Sequence, residues 1–246
     1  MPNLKLEIEY DGTNYRGWQA QHPRKNQKTI QDTIERTLAK ILQERVKLIA
    51  AGRTDAGVHA LAQVANFHTR SDISLDKLRL GLNALLPDDI VVKKIRKVPA
   101  DFHSRFQAKS KVYSYRILNR TYPAAIQRQT AYHCYFPLDV KLMQQEAKVL
   151  LGRHNFRAFA ASSSRKNPVK TVKMIEVRKS GDYIDIKIEA DGFLYNMVRN
   201  IAGTLIEAGR GKLPSGSIKK ILKSLNRKSA GPRAPAAGLC LLKVKY

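Results

Sequence analysis

The sequence predicts an α+β fold made of two ferredoxin-like βαββαβ halves, residues 1–105 and 106–246. Two observations point there. Apolar periodicity switches between strand spacing and helix spacing in the order strand, helix, strand, strand, helix, strand across the first half, and the same order returns in the second half. A hairpin signal, Ser180-Gly181-Asp182, stands between two alternating runs where the second half needs its central strands joined. The halves share this pattern without sequence identity. They are expected to join in one continuous, mostly antiparallel sheet with helices on one side, the other side open as a basic cleft.

Each element has its own signature. Leu4, Leu6, Ile8 and Tyr10 alternate with polar residues and mark the first strand. Residues 11–28 are a polar loop that carries Tyr15, Arg16, Gly17 and Trp18. Ile30, Ile34, Leu38, Ile41 and Leu42 recur at helical spacing behind Thr29, a good N-cap. Strands are expected over 46–51 and 63–68, then a helix on Leu75, Leu78, Leu82 and Leu85 that Pro87 stops, then a strand over 90–95. In the second half the strands fall at 109–118, 171–178, 183–190 and 239–246, and the helices at 140–151 and 194–208. A basic helix near 217–225 and a Pro/Gly-rich stretch over 230–238 are inserted before the last strand.

Charge narrows the function classes. In 246 residues, 45 Lys and Arg face 20 Asp and Glu, a net +25 that opposes folding unless a polyanion uses it. The basic residues are dispersed, which favours a broad nucleic-acid footprint over one tail. No amphipathic helix pairs a basic face with bulky aromatics, and no apolar run is long enough to span a bilayer, so no membrane partner is expected. Cys134 and Cys240 are far apart and lack metal-type spacing, which points to a reducing cytoplasm with neither a disulfide framework nor a zinc site.

The stretch Ala51-Gly-Arg-Thr-Asp-Ala-Gly-Val-His-Ala60 concentrates candidate chemistry. Two glycines bracket a cation, a hydroxyl and a carboxylate, and a strand is expected on each side as a rigid mounting. From residue types alone Asp55 suits four roles: nucleophile or base, metal ligand, helix cap, or solvated turn residue. His59 is its only obvious neighbour for a metal, too few ligands for a site. Tyr113 and Tyr115 share one strand face, as core aromatics or as a stacking platform for an extruded base. Arg199 falls at the border of its helix's apolar stripe, where an arginine either snorkels or holds a carboxylate ionised.

Several segments together carry a family resemblance. They are Glu9-Tyr-Asp-Gly-Thr-Asn-Tyr-Arg-Gly-Trp-Gln19, Gly52-Arg-Thr-Asp-Ala-Gly-Val-His-Ala60, Leu82-Asn-Ala-Leu-Leu-Pro-Asp88, Lys111-Val-Tyr-Ser-Tyr115, Met197-Val-Arg-Asn200 and Gly238-Leu239. In this order the chain resembles the tRNA pseudouridine synthase A family nearly end to end. The resemblance implies a homodimer that isomerises uridines of the tRNA anticodon stem-loop, at tRNA positions 38, 39 and 40, without metal or organic cofactor. It makes Asp55 the catalytic aspartate, Arg53 the arginine that helps extrude the target base, Tyr113 the tyrosine packed on that base, and Arg199 the aspartate's ion-pair partner. Whether Asp55 attacks C1′, deprotonates C2′ or adds to C6 of uracil stays open. The main alternative is a non-catalytic basic RNA-binding protein.

Overall fold

The computed structural model describes residues 1–19, 28–161 and 167–246. Part of the expected 11–28 loop, and Arg165 and Lys166 among the dispersed basic residues, lie outside the described residues. Among the described residues the fold is α+β, with ten strands, five α-helices and no closed barrel. It divides into two compact units, Met1–Lys109 with Leu241–Tyr246, and Ser110–Cys240.

In the first unit, β1 (Asn3–Tyr10), β3 (His59–His68) and β4 (Ile90–Val98) are long strands, and β2 (Ile49–Ala50) is short. The order is β4-β1-β3, with β2 paired to β3 and the final strand β10 (Leu239–Lys245) next to β3. The β1–β3, β1–β4 and β2–β3 pairings are antiparallel. Helices α1 (Ile30–Leu42) and α2 (Leu75–Leu85) pack on each other and begin as their sequences dictate. The Thr29 side chain accepts from the Asp32 N–H at 3.4 Å, and the Ser74 side chain accepts from Lys77 N–H at the same distance. Leu6, Ile8, Ile34, Leu38, Leu78 and Leu82 are fully buried and form the core beneath the sheet.

The strand expected over 46–51 is cut to two residues for a physical reason. Leu48 N–H donates to Glu35 Oε1 at 2.8 Å and its carbonyl accepts from Gln31 Nε2 at 3.3 Å, so α1 takes the groups a ladder would use.

In the second unit the order is β5 (Ser110–Leu118), β9 (Tyr183–Ala190), β8 (Val169–Ser180), β7 (Gly152–Asn155). These pairings are antiparallel; short β6 (Tyr132–His133) lies parallel on β5. The β8–β9 hairpin turns at Gly181, where φ is +55°. Helix α3 spans Val140–Lys148, α4 Met197–Gly209 and α5 Ser217–Ser224. The expected 194–208 helix starts later because Asn196 adopts the left-handed conformation, φ +62°. The expected 140–151 helix ends early in tight bonds, Leu150 N–H to Ala147 O at 3.0 Å and Leu151 N–H to Lys148 O at 3.1 Å.

Glu146 on α3 explains why α5 sits where it does. Its buried carboxylate accepts from Gly216 N–H at 2.6 Å and from Ile218 N–H at 2.9 Å, capping the first turn of α5 with a negative charge. Glu146→Ala leaves those donors buried without acceptors, and the expected loss is about 2–3 kcal/mol in urea unfolding. Glu146→Gln keeps one acceptor oxygen and is expected to lose less; equal stability of all three proteins would deny the cap its role.

Candidate active site

The Gly52–Gly57 loop leaves β2 and enters β3 with its backbone held by hydrogen bonds at Gly52, Thr54, Asp55 and Gly57. Ala51 N–H donates to Val64 O at 2.7 Å, Gln63 Nε2 to Gly52 O at 2.9 Å, and Trp18 N–H to Thr54 O at 3.0 Å. Thr54 is buried and its hydroxyl bonds Tyr10 OH at 2.8 Å. Burial alternates along this extended stretch: Arg53 is exposed, Thr54 buried, Asp55 half-buried. Thr54 is thus the anchor that holds the two charged neighbours at the surface. A turn follows, closed by Val58 N–H to Asp55 O at 3.2 Å, and Gly57 supplies the positive φ of +75° it requires.

What grips this loop is the segment Asp11–Trp18, which reads in the sequence as an ordinary polar loop. Its Tyr15 and Trp18 are almost wholly buried, and the Tyr10 and Trp18 rings lie 6.0 Å apart. Gly17 stands against the Asp55 loop at φ +90°, so close that a Cβ there would lie 2.5 Å from Thr54 O. At the other end a Cβ on Gly12 would lie 2.0 Å from Val58 O. Between them Tyr15 O accepts from Gly57 N–H at 3.3 Å. The clasp is itself tied to the start of α1, whose Ile30 and Gln31 N–H groups donate to Gly17 O at 3.2 Å and Trp18 O at 3.0 Å.

A carboxylate pair completes the support. Tyr15 OH donates to Asp89 Oδ1, and Asp11 N–H to Asp89 O at 3.0 Å, which joins the clasp to the turn before β4. Burial and the Asp89 carboxylate both raise the Tyr15 pKa, so the phenol keeps its proton as donor. Burial disfavours the charge of Asp11, but bonds from Thr13 and the neighbouring His59 outweigh it and hold the carboxyl below its usual range. Two of the motif segments named above, 9–19 and 52–60, therefore meet around one loop, with Asp89, the residue that follows a third, tied to them.

In the second unit, Tyr113 and Arg199 sit on β5 and α4, which pack against each other. Tyr113 is buried, its ring edge-to-face with Phe193 at 5.1 Å and 86°. Arg199 is not at a solvated border. All of α4 except Glu207 is buried, Arg199 included. Its Nε donates to Ala234 O at 2.8 Å while Ala234 N–H returns a bond to Arg199 O at 3.1 Å. The next carbonyl, Pro235 O, accepts from Tyr115 OH at 2.9 Å. Burial raises the Tyr115 pKa against the opposing pull of the Arg199 charge. The Pro/Gly-rich stretch thus serves as a strap across Tyr115 and α4, and a Cβ on Gly238 would lie 2.7 Å from the Tyr115 ring.

Comparison with known proteins decides the family. The family described as tRNA pseudouridine synthase matches residues 7–107 and 147–246, most of the chain. The chain belongs to this family. It is an isomerase family that acts on RNA. Similar relatives include "tRNA pseudouridine synthase A" of Acetivibrio thermocellus, 50% identical over the whole of both chains. Another, of the same name, from Thermoanaerobacter sp. (strain X514), is 47% identical over the whole of both. "tRNA pseudouridine synthase A 2" of Clostridium tetani is 48% identical over 99% of this chain and 98% of its own. A solved chain titled "Crystal Structure of a Cbf5-Nop10-Gar1 Complex" aligns with 97% of this chain and 58% of its own at TM-score 0.33 and 14% identity, too distant to carry an argument.

Among the described residues of this pseudouridine synthase family member, no group of three or more His, Cys, Asp or Glu is placed to hold a metal ion. No helix among them is long and apolar enough to cross a membrane. Sequence reasoning missed Asp11, Gly12, Thr54 and Asp89 as supports. The available signal was two glycines beside two aromatic residues, Tyr15 and Trp18, in an otherwise polar loop.

Proposed function

We propose that this chain isomerises uridine to pseudouridine in the tRNA anticodon stem-loop, at tRNA positions 38, 39 and 40, with the Asp55 carboxylate as the reacting group. The observation that carries the reading is the mounting of Asp55: a half-buried carboxylate on a loop held by backbone bonds at Gly52, Thr54, Asp55 and Gly57, in a chain of this family. Such a mounting suits a group that must meet a reacting atom in one geometry.

The reaction breaks the bond between ribose C1′ and uracil N1 and forms one between C1′ and C5. N1 ends with a proton and C5 loses one, so atoms and electrons balance within the substrate. No redox partner is needed. The target uridine must leave its stack, and Arg53, exposed beside Asp55, suits the role of holding the duplex open. Tyr113 offers a ring for the flipped base, worth roughly 1–3 kcal/mol by stacking. A buried guanidinium at Arg199 suits the task of keeping the aspartate ionised. The protein is further proposed to act as a cytoplasmic homodimer, the 1–105 half supplying the Asp loop and the 106–246 half the base platform.

The reading is tested by incubating the protein with unmodified tRNA in EDTA and mapping pseudouridine along the product. Formation at positions 38–40 is expected. Tight binding without product would instead indicate a non-catalytic RNA-binding protein, and product lost on chelation would implicate a metal. With a net charge of +25, tRNA affinity is also expected to fall by roughly 10³-fold or more between 50 and 200 mM salt, if six or more phosphates are contacted. A flat salt response would detach the charge from RNA binding.

A further inference from the structure

His59 opens β3 directly after the Asp55 loop, and its side chain is 7% exposed. Among the described residues its Nε2 has no hydrogen-bond partner. All of the ring's polar contact goes through Nδ1, which lies 3.0 Å from Asp11 Oδ1 and 3.2 Å from Gly12 N. With the proton on Nδ1 the ring donates to Asp11; with it on Nε2 the ring accepts from Gly12 N–H. Either tautomer fastens the Asp11–Gly12 turn. That turn is the part of the clasp pressed on Val58 O, and Val58 N–H closes the turn on Asp55 O. A buried nitrogen left without a partner is costly, so packing alone favours an apolar residue at this position.

We infer that His59 is a positioning residue for the isomerase reaction, latching the Asp11–Trp18 clasp through Nδ1 so that the Asp55 turn keeps one conformation. This rests on the catalytic reading of Asp55 given above. The ring makes no hydrogen bond to the Asp55 carboxylate; it acts through Asp11, Gly12 and Val58. Because the contact uses Nδ1 alone, replacements sort by where they place a polar atom. Asparagine carries one at the position of Nδ1, glutamine at the position of Nε2, and leucine carries none.

His59→Asn, His59→Gln and His59→Leu are compared in single-turnover assays on unmodified tRNA, with tRNA affinity and thermal midpoint measured alongside. The leucine and glutamine variants are expected to react about 10- to 100-fold more slowly with affinity within about twofold of wild type, and the asparagine variant to recover most of the rate. The inference is overturned if glutamine rescues as well as asparagine, if leucine reacts at the wild-type rate, or if the loss appears only in affinity. Should the leucine variant not fold, the Asn–Gln contrast decides. Hydrogen exchange over residues 11–18 and 54–60 reads the latch without the reaction: faster exchange in His59→Gln than in His59→Asn is expected, and equal exchange in the two denies the latch. Wild-type protein that forms no pseudouridine would sink the isomerase reading alone, since the exchange contrast stands apart from it.

Discussion

Asp55→Asn is expected to abolish isomerisation while tRNA binding survives. The substitution keeps the shape of the side chain and leaves the turn intact, since that turn is closed by the backbone of residue 55 through Val58 N–H at 3.2 Å. Only the negative charge and the nucleophilic oxygen pair are lost. If the carboxylate is the reacting group, single-turnover rate falls by more than about 10³-fold, the scale seen when a group made for the transition state is removed. Affinity should hold or rise slightly, because phosphate contacts come from dispersed cations and one repelling charge is gone. Asp55→Glu separates charge from position: it retains the carboxylate but displaces it by one methylene, and a loss of about 10²-fold is expected. Near-normal rates in Asp55→Asn would move the chemistry to another residue, and a parallel collapse of binding would make Asp55 a structural group.

Much of this was legible in the chain, and where it was not the reason is tertiary. Period and caps sufficed for α1, whose bounds Ile30–Leu42 follow from the Ile30, Ile34, Leu38 stripe and Thr29. The β8–β9 hairpin was equally readable from Ser180-Gly181-Asp182, because a turn of that kind is local. Fold class followed from such signals taken in order, and the family from the resemblance carried by the quoted motif segments. The clasp was not readable: Tyr15 and Trp18 are buried by a loop that forms only when Gly12 and Gly17 lie flat on the distant backbone of Val58 and Thr54. Arg199 failed in the opposite direction. A helical wheel puts Arg199 at the border of the apolar stripe, where it either snorkels or holds a carboxylate ionised, but α4 is covered by the 230–238 strap as well as by β5, and the strap has no periodicity to announce it.

That strap makes Gly203→Ala the substitution with the largest expected cost in stability. Helix propensity argues for alanine, by about 1 kcal/mol in a helix interior. Geometry argues against it: a Cβ on Gly203 would lie 1.8 Å from Pro232 O, a backbone atom that cannot swing aside as a side-chain tip does. The strap must lift to admit the methyl group. Lifting it strains the bond from Gly231 N–H to Thr204 Oγ1, 3.0 Å, and both bonds between Arg199 and Ala234, 2.8 and 3.1 Å. Overpacking of roughly 1–3 kcal/mol and the weakening of three hydrogen bonds outweigh the propensity gain, for a net loss of about 2–4 kcal/mol in urea unfolding. Activity should fall further than stability alone predicts, measured under conditions where the variant is still folded, because the Arg199 guanidinium loses the carbonyl that fixes its direction. A variant as stable as the parent would mean that the strap rides loosely on α4, and Arg199 would then need some other anchor.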